Sequence, residues 1–273
     1  MIVDPRLTPV RDGIASRTLE GITPAEVYLE PRAMVCVTPA TAIRATPDAS
    51  GEQVDQLLFG ETFSSVEQDG LFLWGQAGRD GYVGFVAMED LAAEGAPPTH
   101  RISALRTYAF EAPSIKTRAR GPYSLGSLVR VTETEGRLSH VDRAGWIATG
   151  HLAPIGLAFE SDAAAVAERF LGAPYLWGGR ESLGLDCSGL VQQSRFACGQ
   201  ACPRDTDMQA ATGHDVSAED LRRGDLVFWR GHVAMMLDAS RIIHANAWHM
   251  AVAIEPLAEA IARIGEPAAL RRV

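Results

Sequence analysis

A chain of 273 residues is long for one compact domain and points to two or three modules. With 47% hydrophobic and 22% charged residues, its composition is that of an ordinary globular protein. A formal net charge of -9 argues against nucleic acid as a partner, since such binders need a basic stripe to neutralise phosphates. Small ligands or substrates carrying an amine fit better.

Residues 1–21 read MIVDPRLTPVRDGIASRTLEG, with scattered charges and no apolar core of signal-peptide length. No later window approaches the roughly 18 apolar residues of a membrane span. The four cysteines, Cys36, Cys187, Cys198 and Cys202, are too few for a disulfide framework. The expectation is a cytoplasmic protein with reduced thiols and no membrane partner.

Two stretches of the first half read alike. In the first, Phe59-Gly60-Glu61 leads into TFSSVEQ, a turn at Asp69-Gly70, LFLWGQA, and Gly81-Tyr82-Val83-Gly84-Phe85-Val86. In the second, Tyr123-Ser124-Leu125-Gly126 leads into LVRVTET, a turn at Glu135-Gly136, RLSHVD, and Ala144-Gly145-Trp146-Ile147. Short runs of β-branched and aromatic residues broken by Gly turns predict small antiparallel barrels. Their recurrence predicts a tandem repeat, split by the Pro/Gly linker at residues 93–99. The repeats resemble bacterial SH3-like (SH3b) domains.

After Ile155 the texture changes. Residues 161–171 predict a helix capped by Ser161 and stopped at Gly172. The loop PYLWGG follows, and residues 187–197 predict a second helix with Cys187 in its first turn. Three strands are expected at residues 224–229, 232–237 and 241–245. The residues 257–264 read as an amphipathic helix that packs on the fold. Helices followed by a sheet make this part α+β.

A thiol at a helix N-terminus meets the positive end of the dipole and free N–H groups, which predicts a lowered pKa and an oxyanion site. Asp238-Ala239-Ser240 reads as a three-residue turn that sets Leu237 opposite Arg241. Side chains repeat every two residues, so His232 and His244 then share one sheet face as diagonal neighbours, about 7 Å apart at the backbone. A base held by a second polar group is what a cysteine nucleophile requires. His232 would take the thiol proton and later protonate the leaving amine, and His244 would fix its tautomer. Cys198-x3-Cys202 lacks matching ligands for a metal, and no metal or cofactor is expected.

Tyr175-Leu176-Trp177-Gly178-Gly179, Asp186-Cys187-Ser188-Gly189-Leu190-Val191, Gly224-Asp225-Leu226-Val227-Phe228 with His232-Val233, and Ile243-His244-Ala245 resemble the successive motifs of the NlpC/P60 cysteine peptidases. The resemblance implies a papain-like domain at residues 157–273. Before it would come an N-terminal extension (1–30) and two SH3b-like barrels (31–95 and 99–156). It implies a catalytic triad of Cys187, His232 and His244.

More narrowly, the chain is similar to γ-D-glutamyl-L-diamino acid endopeptidases, which cut after γ-D-glutamate in cell-wall peptides with a free N-terminal L-alanine. That similarity implies a substrate pocket lined by Tyr175, Asp186 and Ser188, with Asp205 from the Arg204-Asp205 pair. Glu61 and Tyr82 of the first barrel would help to cap the substrate amine. Carboxylates suit a buried ammonium, whose desolvation they offset. Two other classes compete: an acyltransferase of the same superfamily, and a non-catalytic module that binds cell-wall peptides.

Overall fold

The computed structural model describes residues 4–157 and 159–273; residues 1–3 of the expected N-terminal extension, and Ala158, lie outside them. Two compact units result, residues 1–155 and 156–273.

Among its described residues the first unit is all strand and 3-10 turn. A seven-stranded antiparallel sheet occupies Arg32–Ala93, and its strands 62–69 and 72–77 form the hairpin expected around Asp69-Gly70. Ile43, Leu57, Phe63, Leu73 and Val86 fill its interior. The alternation of apolar and polar residues in these strands directs one set of side chains inward. From His100 to Pro154 a five-stranded and a three-stranded sheet follow.

The element order of the first stretch recurs in the second. Each has a hairpin, one further strand, a 3-10 turn (Met88–Asp90, then Thr149–His151) and a short closing strand (Leu91–Ala93, then Leu152–Pro154). Phe59 leaves the first sheet and packs edge-on against Tyr123, ring centroids 5.1 Å apart, in the core of the second. Gly60 has to be glycine: its φ is +77°, and a Cβ there would lie 1.9 Å from the Leu128 carbonyl oxygen.

The N-terminal segment adds three short strands. It is anchored to the first sheet by Arg11, whose guanidinium bonds Asp69 and lies over the Phe85 ring.

Among its described residues the second unit sets four α-helices around a six-stranded antiparallel sheet. The helices are α1 (Ala163–Glu168), α2 (Cys187–Ala197), α3 (Thr206–Ala210) and α4 (Leu257–Ile264). The strands are β1 (His214–Asp215), β2 (Leu226–Trp229), β3 (His232–Met236), β4 (Arg241–Asn246), β5 (Ala251–Pro256) and β6 (Ala269–Arg272), in spatial order β1-β6-β2-β3-β4-β5. Helix α4 packs Leu257, Ala260 and Ile261 on Val227, Met236 and Ile242, as its amphipathic pattern predicts. No helix among the described residues is long and apolar enough to cross a membrane.

Several features differ from the sequence expectation. Helix α1 is shorter than expected and its cap is Asp162, not Ser161; the Asp162 carboxylate accepts the N–H groups of Ala164 and Ala165. Strands β1, β5 and β6 and helix α3 were not expected: β1, β6 and α3 are short, and Pro256 and the alanines of β5 blur its β signal.

Candidate active site

Cys187 is the first residue of α2, and that helix packs on β3 and β4. Asp186 caps it, accepting the Gly189 N–H at 2.8 Å. At the other end Gly199 (φ +74°) closes the helix. Its N–H bonds the Phe196 carbonyl, and the Gln200 N–H bonds that of Arg195, a Schellman arrangement. The thiol is buried, with the main-chain N–H groups of Val233 and Ser188 facing the sulfur. The nucleophile candidate thus lies against the strand that His232 opens.

The β3–β4 hairpin has the expected register. The Leu237 N–H bonds the Arg241 carbonyl at 2.8 Å, and Met235 and Met236 pair with Ile243 and Ile242. Extending that pairing puts His232 opposite Asn246, and His232 Nε2 lies 2.8 Å from His244 Nδ1. A second diagonal step continues across the sheet. Ala253 pairs with His244, and Glu255, two residues on, holds His244 Nε2 at 2.7 Å through its Oε1. Arg263 of α4 bonds both oxygens of that carboxylate.

This chain sets the tautomers. A carboxylate only accepts, and Arg263 holds Glu255 below the usual carboxylate range, so His244 donates through Nε2. Its Nδ1 must then accept from His232 Nε2–H, which leaves His232 Nδ1 as the unprotonated nitrogen. Burial is the main reason both rings are held down to about 4, so both are neutral near pH 7. The neighbouring ring of His244 and the Arg263 charge reinforce this for His232; Glu255 opposes it.

The thiol departs from expectation. Burial first, then the Asp186 charge, pushes Cys187 up to about 12, although the N–H groups of Val233 and Ser188 and the Arg204 charge favour the thiolate. Burial outweighs the favourable field of the helix N-terminus, and the Asp186 carboxylate at the cap adds to the effect of burial. The resting pair is a thiol and a neutral imidazole.

Asp186 is buried and fully engaged. Arg204 grips it through two bonds, NH1–Oδ1 at 3.0 Å and NH2–Oδ2 at 2.7 Å, and the Gly178 N–H adds a third at 2.9 Å. Ser188, also buried, donates its hydroxyl to Asp186 at 3.2 Å and accepts from Arg204 at 2.8 Å. Tyr175 is half-buried, and its phenol is pushed up to about 12 by burial and by the nearby Cys187 and Asp186. The site therefore gathers Cys187, His232, His244, Tyr175, Asp186 and Ser188 in one unit.

Asp205 stands at the N-terminus of α3, next to Arg204. Glu61 and Tyr82 belong to the first unit: Glu61 Oε2 accepts the Leu58 N–H at 3.0 Å in its turn, and Tyr82 sits in the barrel core. Sequence reasoning missed Glu255 and Arg263, and treated Arg204 only as the neighbour of Asp205. Ligand atoms of His244, His249 and Glu255 lie within 4.8 Å of one another, but Arg263 brings positive charge to the same carboxylate, which disfavours a cation there.

Residues 172–263 match the NlpC/P60 family, and residues 43–91 match the bacterial dipeptidyl-peptidase SH3 domain. The chain is 36% identical over 100 residues to the γ-D-glutamyl-L-lysine dipeptidyl-peptidase of Bacillus subtilis (strain 168). That match covers 34% of this chain and 34% of the relative. It is 25% identical over 228 residues to dipeptidyl-peptidase 6 of Lysinibacillus sphaericus, covering 74% and 83% of the two chains. Its fold resembles that of an NlpC/P60 family protein from Bacillus cereus ATCC 10987, with a TM-score of 0.78 at 20% identity over 88% of this chain and 99% of that one. The chain thus carries an NlpC/P60 family domain at residues 172–263, preceded by a bacterial dipeptidyl-peptidase-type SH3 domain.

Proposed function

We propose that this protein is a cysteine peptidase that hydrolyses the bond between γ-D-glutamate and a diamino acid in cell-wall muropeptides bearing a free N-terminal L-alanine. The observation that carries the reading is the buried thiol of Cys187 beside β3, with the hydrogen-bonded pair His232–His244 on the same strand and its neighbour. The name of the Bacillus subtilis relative, a γ-D-glutamyl-L-lysine dipeptidyl-peptidase, supports the substrate class. The proposal includes a papain-like catalytic domain at 157–273 and a second SH3b domain at 99–156. It places the reaction in the cytoplasm, in the recycling of cell-wall peptides.

In this reading His232 Nδ1 takes the Cys187 proton as the sulfur attacks the γ-carbonyl carbon. The Gly189 N–H is taken by Asp186, and the Ser188 N–H, which faces the sulfur and has no intrahelical partner, serves the developing oxyanion. The C–N bond breaks, His232 protonates the leaving amine, and a thioester remains. Water, activated by the same imidazole, releases L-Ala-γ-D-Glu and restores the thiol. Tyr175 and Ser188 line the pocket. Asp186 enters it as half of an ion pair with Arg204, which leaves little of its charge to offset the ammonium.

Incubation with L-Ala-γ-D-Glu-diaminopimelate and with its N-acetylated form tests this. Cleavage of the free-amine peptide alone is expected. Equal cleavage of both would remove the amine pocket, and an uncut pair would favour an acyltransferase or a binding module.

A further inference from the structure

We infer that Glu255, held by Arg263, is a positioning residue that sets the basicity and tautomer of the His232–His244 pair; this rests on the proposed role of Cys187 and His232. The geometry is a continuous chain on one face of three adjacent strands. It runs from His232 Nε2 to His244 Nδ1 (2.8 Å), from His244 Nε2 to Glu255 Oε1 (2.7 Å), and on to the Arg263 guanidinium. His244 and Glu255 are both buried, which strengthens the bond between them.

The chain has only one consistent proton assignment. Were Glu255 absent, His244 could carry its proton on Nδ1 and donate to His232 Nε2. His232 would then bear its proton on Nδ1 and be useless as a base toward the thiol. Glu255 excludes that state because a carboxylate has no proton to give. Its charge also stabilises the imidazolium formed when His232 accepts the thiol proton, in the manner of a carboxylate behind a catalytic histidine.

Arg263 acts in the opposite sense. It neutralises part of the Glu255 charge and adds a positive charge near both rings. Its guanidinium also lies 5.4 Å from the centre of the exposed Trp248 ring, which holds the pair at the surface end of the chain. The other titratable group facing the rings is His249 from the β4–β5 turn, its ring centre 6.3 Å from that of His244. The balance of Glu255 against Arg263 thus sets how readily thiol and imidazole become an ion pair.

The test is the alkylation rate of Cys187 by iodoacetamide, followed by mass spectrometry across pH in the full-length chain, together with kcat/KM on the free-amine peptide. Glu255→Gln is expected to slow alkylation at neutral pH by about tenfold, the factor carried by one pKa unit. It should also lower kcat more than it changes KM, and move the acid limb of kcat/KM to lower pH. Arg263→Met is expected to do the reverse, with faster alkylation and an acid limb at higher pH. A purely structural role would damage both variants alike. Shifts in the same direction, or none in two folded variants, overturn the inference. If Glu255→Gln does not fold, the sign of the Arg263→Met shift decides alone. A wild-type Cys187 that alkylates with this pH dependence but leaves the peptide uncut removes the proposed substrate, while the positioning role stands.

Discussion

Asp186 and Arg204 form a two-pronged ion pair, side by side and almost wholly buried, at the residue immediately before Cys187. The same carboxylate caps α2 and holds the Gly178 N–H, so one ion pair ties the helix that bears the thiol to the 174–179 loop. Removing one partner leaves an uncompensated charge in the interior. Arg204→Met is expected to destabilise the protein by about 3–5 kcal/mol, read from urea unfolding. Adding Asp186→Leu should restore most of that, short of about 1 kcal/mol for the lost cap. A single variant as stable as wild type would show that the pair does not hold the loop to the helix.

The two histidines differ in what they can lose. In the proposed mechanism His232 supplies the proton-accepting nitrogen, while His244 orients it. His232→Ala is expected to lower kcat about 10²–10⁴-fold, the usual contribution of a general acid–base group. His244→Gln can still offer an amide oxygen to His232 Nε2–H, so its loss of kcat should be at least tenfold smaller. Steady-state kinetics with both variants checks the order. The two assignments are exchanged if His244→Gln proves the more damaging.

Both imidazoles are held down to about 4 against an ordinary value of 6.5, mainly by burial. Between those values the folded protein binds fewer protons at these sites than the unfolded chain. Stability therefore rises with pH through this window and is lost as pH falls from about 6.5 to about 4, with a slope of up to about 1.4 kcal/mol per pH unit for each ring. The double variant His232→Gln/His244→Gln should lose that part of the slope and show a flatter acid limb. Denaturation midpoints measured through this range give the comparison. Parallel curves for wild type and variant would mean that the rings titrate normally.

What could be read from the sequence follows from how local the cause was. Cys187 at the head of α2 is a short-range feature, marked by small residues after it and Gly199 at the helix end. The His232–His244 face was also accessible, because a three-residue turn and a period of two determine it once the register is known. Glu255 was not, since it reaches His244 from a strand whose alanines give no clear β signal. Arg204 lies 18 positions from Asp186 in a loop without periodicity, so only the fold reveals the pair. The thiol was misjudged for a related reason: a helix start is visible in sequence, but the depth of burial that dominates its pKa is not.

The closeness of loop and helix yields the sharpest steric test. Gly189 lies in helix α2 with its face against Gly179, and a Cβ there would stand 2.3 Å from the Gly179 carbonyl oxygen. In an open helix Gly→Ala gains up to about 1 kcal/mol of propensity. Here the atom in the way is backbone, and the same carbonyl accepts the Asp186 N–H at 3.3 Å, so relief requires moving the loop off the helix. Gly189→Ala is therefore expected to destabilise by about 1–3 kcal/mol and to lower kcat/KM by displacing Tyr175. Gly150→Ala, where a Cβ would meet nothing within 4 Å, serves as the control and should be close to neutral. If Gly189→Ala matched the control in stability and activity, the 174–179 loop would have to be free to move without consequence for the thiol beside it.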